Sequence, residues 1–477
     1  MEIKINDKKI INSWAMYDWA NSVFSLTIAT AIFPIYFIEI CKSASLEQGM
    51  FADGIYYLNI FGFKVIGAEL YSFIVSAGFL IIAIISPLLS GIADFKRNKK
   101  FFLKMFCYLG SASCIGMYFF NVQNIELGVI LFLISLVGFA GSLVFYNAFL
   151  PEIVSEDMLD KVSARGYAFG YVGCVILLII NLLTIMKPEF FFPVQEKVNE
   201  LMKLDFTLNE TEALVKAKSY YSIVATKLSF VSVGLWWAGF AQIFFKNVPE
   251  GNAIKSYSGN VLVKGFNELQ KVFGQLKFQP TLKKYLIGFF FTSMGVQTIM
   301  YVASLFGKEE LHLPNEILIG TILIIQLIAI VGALAFSRIS ASIGNIYTLL
   351  ITIAIWALIC VFAYGIQTQN QFMALGAFVG IVMGGIQSLM RSTYAKLIPD
   401  GTKDTASYFS FYDVLEKVAI VLGTLIYGIL INLTHSMRMS ALTLAVFFVL
   451  GMIWIAQIKN FKTFIFSIDE TENKKNQ

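Results

Sequence analysis

Long apolar runs, broken by short polar or basic stretches, recur along the whole chain. With about 20 mostly apolar residues taken as one bilayer crossing, twelve segments qualify: 14–38, 69–91, 101–121, 126–149, 165–186, 222–245, 285–306, 316–337, 346–366, 370–392, 409–432 and 438–458. They are too long and too uniformly apolar for the alternating strands of about ten residues that build membrane barrels. The predicted fold class is an all-α membrane protein of twelve transmembrane helices. The first run follows a polar start and lacks a small-residue cleavage site, so it reads as a retained span rather than a signal peptide.

The polar intervals orient the spans. With both termini placed in the cytoplasm, 25 of the 36 Lys and Arg fall on that side, including Lys96, Arg97, Lys99 and Lys100 after the second span. Residues 246–284 hold seven Lys against Glu250 and Glu268 and divide the spans six and six. This predicts an N-terminal half at 1–245, a basic cytoplasmic linker with amphipathic helix on the inner leaflet, and a C-terminal half at 285–477. The outer interval from Lys187 to Tyr221 contains Glu210, Glu212, Lys216 and Lys218 at the spacing of a short surface helix.

Composition narrows the function classes. The chain of 477 residues is 57% hydrophobic and 14% charged, against about 45–50% and 25% for soluble chains, which excludes an ordinary water-soluble enzyme. A net charge of +5 accompanies no basic cluster interleaved with stacking aromatics, so no nucleic-acid partner is expected. Cys41, Cys107, Cys114, Cys174 and Cys360 have no C-x-x-C spacing, and His312 and His435 lie in outer loops. No zinc-protease, P-loop or Ser-His-Asp pattern is present in the sequence. The expectation is therefore no enzyme, metal or cofactor, and a process driven by a gradient.

Internal duplication is visible as Tyr146-Asn147-Ala148-Phe149-Leu150-Pro151 against Tyr394-Ala395-Lys396-Leu397-Ile398-Pro399, closing the fourth and tenth spans. Six-and-six spans with such a match predict two homologous halves related by an axis along the membrane normal.

Several motifs carry candidate chemistry. Gly91-Ile92-Ala93-Asp94-Phe95-Lys96-Arg97 closes the second span; the glycine admits a close neighbour and Asp94 would cap or pair with an adjacent helix end. It resembles the loop between the second and third helices of the major facilitator superfamily. In the first span Asp18, Asn21, Ser22 and Ser25 share one narrow face. A carboxylate there would face the bundle interior or an aqueous vestibule, either as a protonatable coupling group or as a simple helix cap or ion-pair partner.

A wider resemblance rests on Tyr17-Asp18-Trp19-Ala20-Asn21-Ser22, Asn147 to Glu152, Arg165-Gly166 to Gly170-Tyr171-Val172-Gly173, Gly295-Val296-Gln297-Thr298, Gly384-Gly385-Ile386-Gln387-Ser388 to Arg391-Ser392, and Phe411-Tyr412-Asp413. Together they are similar to the vacuole effluxer-like branch of the major facilitator superfamily, whose named fungal member is an autophagy-related vacuolar amino-acid exporter. The resemblance implies a twelve-helix secondary transporter and suggests amino acids as cargo. Many family members carry Asn-Asp before the Gly-Val-Gln-Thr block where this chain has Ser293-Met294, so no role of that acid carries over.

The remaining polar side chains inside the spans are few. Gln297 and Gln326 fall near mid-bilayer, where a transporter keeps its site, or they serve as interhelical hydrogen bonds. Candidate substrate-binding residues are Asp18, Asn21, Ser22, Gln297 and Gln326, with Asp18 also the coupling candidate. Gly376, Gly380, Gly384 and Ser388 form a packing stripe in the tenth span. Gln387 and Arg391 follow at its inner end, with Asp413, Glu416 and Lys417 as possible partners at the start of the eleventh span; Asp413 to Lys417 has the acid-first order of a local ion pair. The sharper reading groups Arg391, Asp413 and Lys417 of one half with Gly91, Asp94, Arg97, Glu152 and Arg165 of the other as a cytoplasmic gate. The expected partners are a small solute, protons and the lipid bilayer, for a monomer in a bacterial inner membrane. A transporter-fold sensor without flux and a lipid-handling facilitator stand as the alternatives.

Overall fold

The computed structural model describes residues 4–52, 55–60, 62–249, 261–276, 278–399, 401–434 and 436–458. Glu250, Lys255, Lys277, His435 and the lysines from Lys459 onward lie outside them, as do the side chains of Lys264 and Glu268.

The first crossing is one continuous helical rod. It comprises α1 (Lys8–Val23), a π-helical segment (Phe24–Ile32) and α2 (Phe33–Glu47). Asp7 caps its start by accepting from the amides of Lys9 and Ile10. The π segment ends just before Pro34, whose missing N–H removes an i→i−4 bond and favours the wider register. A small antiparallel sheet then follows in the order β1 (Phe51–Ala52), β2 (Ile55–Ile60), β3 (Phe63–Ile66), with Tyr57 opposite Ile66 and Ile60 opposite Phe63.

The helices continue as α3 (Gly67–Lys96), α4 (Lys99–Gly116), α5 (Ile125–Ala148), the short α6 (Leu150–Ile153), α7 (Leu159–Met186), α8 (Val194–Leu204) and α9 (Glu210–Asn247). After α10 (Val261–Leu276) come α11 (Pro280–Glu309), α12 (Asn315–Ile343), α13 (Asn345–Gly365), α14 (Gln369–Leu397), α15 (Thr405–Thr434) and α16 (Met437–Ala456). Among the described residues 12 helical segments are long and apolar enough to cross a membrane; α6 closes the fourth of them, and α8 and α10 are not among them. The chain is an integral multi-pass membrane protein.

Most helices overrun their expected spans. The expected surface helix near Glu210 is the start of α9, because the Asn209–Glu212 capping box begins a helix that meets no breaker before Asn247. Its first turns bury Ala213 and Ala217 against Val194 and Val198 of α8, forming a cap on the face opposite the termini. The linker does contain a helix, but α10 packs across α3 and α15 beneath the bundle. A Cβ at Gly91 would sit 2.2 Å from the carbonyl oxygen of Gly265, so these two glycines permit that crossing.

The two sets of six crossings meet along α7 against α12 and α14, and along α3 and α5 against α15. The glycine stripe of α14 lies on α12: Cβ atoms at Gly380 and Gly384 would come within 2.6 and 2.1 Å of the carbonyls of Ile325 and Ala329. The duplicated tyrosines occupy corresponding places. Tyr146 stacks on Trp14 of the first crossing at 4.6 Å, and Tyr394 on Tyr285 of the seventh at 6.1 Å.

Candidate functional site

A cavity of about 520 Å³ lies between the two sets of crossings. Its walls reach Thr30 and Pro34 in the outer half of the first rod, and Phe306, Leu318 and Phe372 near helix ends on the face opposite the termini. The upper walls are mostly apolar, with Thr30, Thr321 and Tyr427 among them, and the charged groups gather lower, toward the face that carries the termini.

At the base, Arg391 of α14 crosses to α1. Its Nη1 lies 3.2 Å from Asp18 Oδ2, and both side chains are buried, 2% and 6% exposed. Tyr146 donates to the same carboxylate oxygen at 2.8 Å. The guanidinium also donates through Nε to Ser163 Oγ at 3.0 Å, through Nη2 to the Ser163 carbonyl at 2.8 Å and through Nη1 to Asn147 Oδ1 at 3.3 Å. The rings of Tyr167 and Trp14 flank it at 4.1 and 4.8 Å. Charge, hydrogen bonds and ring faces together compensate an ion that would be costly if left unpaired here. The pair fits because residue 166 is glycine: a Cβ there would lie 2.4 Å from Asp18 Oδ2 and 2.9 Å from Arg391 Nη2.

Below this pair the two sets of helices are joined at several points. Asp94 accepts from the backbone amides of Ala406 and Ser407, at 3.2 and 2.7 Å, capping the N-terminus of α15. Glu152 pairs with Lys99 and accepts from Thr405 Oγ1 at 2.9 Å. Asp160 of α7 holds Lys396 at 2.8 Å, Asn345 at 2.7 Å and Ser340 at 2.9 Å. On the cavity side of the pair, Tyr171 donates to Gln387 at 2.7 Å, again between the two sets. These contacts close the face of the termini while the opposite side of the cavity is lined to its mouth.

The expected site residues are therefore distributed in a definite way. Asp18, Asn21, Ser22, Ser25, Gln297, Gln326, Gln387, Arg391, Asp413 and Lys417 all line the cavity. Gly91, Asp94 and Glu152 lie at the closed face. Arg97 ends α3 in the left-handed region at φ 54°, and Arg165 lies over the Phe169 ring at 5.4 Å. The grouping differs from the gate reading in that Arg391 meets Asp18 rather than Asp94 or Glu152, while Asp413 and Lys417 form the local pair that their spacing offered, at 3.1 Å on their own helix.

Sequence reasoning named Glu416 only as a possible partner for Arg391, and gave no site role to Tyr146, Asn147, Ser163, Tyr167 and Tyr427. Glu416 lines the cavity near the middle of α15, accepting from Lys417 at 2.9 Å and from Gln297 Nε2 of α11 at 3.2 Å. Its signal was present as an acid inside an apolar span. Several buried polar atoms of cavity-lining residues have no hydrogen-bond partner among the described residues: Asn21 Oδ1 and Nδ2, Gln326 Oε1, Asp413 Oδ2 and Tyr427 Oη. Such groups are expensive unless something bonds to them.

Comparison with known proteins gives concordant findings. A family model described as "Vacuole effluxer Atg22 like" matches residues 6–463. The chain is 29% identical to the uncharacterized MFS-type transporter YxiO of Bacillus subtilis (strain 168), over 93% of this chain and 94% of that one. It is 24% identical to autophagy-related protein 22 of Kluyveromyces lactis, over 80% and 77% of the two chains. Among solved structures, the proton:xylose symporter XylE superposes with a TM-score of 0.61 at 12% identity, covering 95% of this chain and 96% of that one. That likeness establishes the twelve-helix major facilitator fold.

Proposed function

The chain belongs to the vacuole effluxer Atg22-like family, and from that premise we propose that this major facilitator transporter moves amino acids by alternating access. The observation that carries the reading is the cavity: closed at one face, lined to the other, and polar at its base. Its volume of about 520 Å³ falls within the ordinary range for small-molecule sites, roughly 300–1,000 Å³. The amides of Asn21, Gln297 and Gln326 supply both donors and acceptors, and Glu416 and Lys417 supply one charge of each sign. That inventory suits a zwitterion. The apolar upper wall suits an aliphatic or aromatic side chain.

In this reading residues 1–245 and 285–477 move as two bodies, with 246–284 as the connection. The face of the termini is cytoplasmic, in a bacterial inner membrane, and the protein acts as a monomer. The conformation is outward-facing. Asp18–Arg391, Asp94 on the start of α15 and Asp160 with Lys396 are the contacts that part when the inner side opens. An ion or solute gradient drives the cycle, and Asn21, Ser22, Gln297 and Gln326 bind the solute.

Reconstituted protein tests the reading. Proteoliposomes loaded with a panel of labelled amino acids should show saturable exchange for a subset, with none for sugars or phospholipids. Binding without flux would replace the proposal with a sensor. Lipid movement alone would replace it with a lipid facilitator.

A further inference from the structure

The cavity holds a charge imbalance. Its charged side chains are Asp18, Arg391, Asp413, Glu416 and Lys417, three acids and two cations. Asp18 is matched one to one: Arg391 and the Tyr146 hydroxyl both engage its Oδ2, and helices from both sets enclose the pair. The other lysine is shared. Lys417 Nζ contacts Asp413 Oδ1 at 3.1 Å and Glu416 Oε2 at 2.9 Å, while Asp413 Oδ2 has no hydrogen-bond partner among the described residues. Two carboxylates on one ammonium leave a formal negative charge near mid-membrane, where an uncompensated charge is not tolerated once water is excluded.

Of the two acids, Asp413 is 8% exposed and Glu416 24%. Glu416 is the one on the cavity surface, aimed by the Gln297 amide on its second oxygen. The other titratable groups around it are Tyr412 on its own helix, Tyr301 of α11 and Tyr167 of α7, none of them a cation at neutral pH. The orphaned atoms of Asn21, Gln326 and Tyr427 line the same space and require a ligand with both donors and acceptors.

We propose that Glu416 is the carboxylate through which the cavity takes up one positive charge per cycle, a proton or the ammonium group of the solute. This deepens the transport reading and rests on it. If the charge is a proton, it bonds to a Glu416 carboxylate oxygen from water in the open cavity and returns to water on the other side, with no other bond made or broken. The anionic form keeps the cavity open to water; the neutralised form lets it close.

The test uses the full-length protein in proteoliposomes, with the native cysteines replaced and Ala363→Cys placed as a thiol probe in the cavity wall. Maleimide labelling should fall by about fivefold or more from alkaline to acid pH, and Glu416→Gln should label weakly at every pH. That outcome assigns the charge to a proton. If labelling is instead insensitive to pH but suppressed by amino acids, and Glu416→Gln loses that suppression, the charge is the solute's ammonium. A Glu416→Gln variant matching the parent in both responses overturns the proposal. Glu416→Asp should retain the parent's response, which guards against a folding defect in the amide. Failure of the amino-acid reading is distinguishable, because it abolishes amino-acid suppression and flux while leaving the pH response of labelling intact.

Discussion

Replacing Asp18 by Asn isolates the contact between α1 and α14. The substitution keeps the side-chain volume and an acceptor for Tyr146, and removes only the charge facing Arg391. In the closed arrangement the guanidinium is 2% exposed, so it would be left as a buried ion with neutral partners. Breaking a buried pair from one side costs about 3–5 kcal/mol. The lower end applies, because Ser163, Asn147 and the rings of Trp14 and Tyr167 remain around the cation. Where the seam is open, water reaches Arg391 and that cost vanishes, so the whole difference acts on the equilibrium between the two arrangements. About 3 kcal/mol is a shift of roughly 10²-fold toward opening at the face of the termini.

The assay is labelling of Ser388→Cys on α14 in a background lacking the native cysteines. Ser388 is buried at this seam and its backbone carbonyl accepts from Ser163 Oγ at 2.8 Å, a bond the substitution leaves in place. Asp18→Asn should raise its labelling by one to two orders of magnitude, and the swap Asp18→Arg with Arg391→Asp should restore part of the protection. Labelling unchanged in Asp18→Asn would refute the claim that this pair holds the seam.

The other expectations follow the same geometry. Gly166→Ala should open the same seam without changing any charge, because its Cβ would lie 2.4 Å from Asp18 Oδ2; Ser388→Cys labelling reads it. Gly384→Ala sets a methyl 2.1 Å from the Ala329 carbonyl, a backbone atom that cannot rotate away, whereas Gly320 has open space around it. Thermal unfolding should therefore show Gly384→Ala losing about 1–3 kcal/mol and Gly320→Ala little. Asn21→Ala removes Oδ1 and Nδ2, and Gln326→Ala removes Oε1, buried atoms without a hydrogen-bond partner among the described residues, so Tm should hold or rise while the apparent KM for solute increases; a large fall in Tm would contradict that picture. Asp94→Asn weakens the cap on α15, and a loss of about 1 kcal/mol, read by thermal unfolding, is expected.

Much of the architecture is legible in the chain because membrane burial acts locally. A span must satisfy its own backbone hydrogen bonds, and its apolar run declares itself without knowledge of any neighbour. The stripe Asp18, Asn21, Ser22, Ser25 and the glycine series of α14 are likewise periodic, so their faces could be read in advance. The overrun of α9 was less visible: its polar first turns look like a separate surface helix until the capping box and the lack of any breaker are considered together.

Partnership between charges is a different kind of information. Sequence spacing exposes only pairs on one helix, such as Asp413 with Lys417, and it suggested local acids for Arg391. The partner is Asp18, 373 positions away; Asp94 does cap a helix end as its motif suggested, but which helix, α15, only the packing decides. Burial in an apolar medium dictates that each charge must be compensated; it does not say by which group. That choice is made by how twelve helices cross, and with it the location of the one carboxylate in excess. The sequence alone determined a twelve-helix membrane transporter fold with few interior polar residues. Only the packing decided which of them close the seam and which face the cavity.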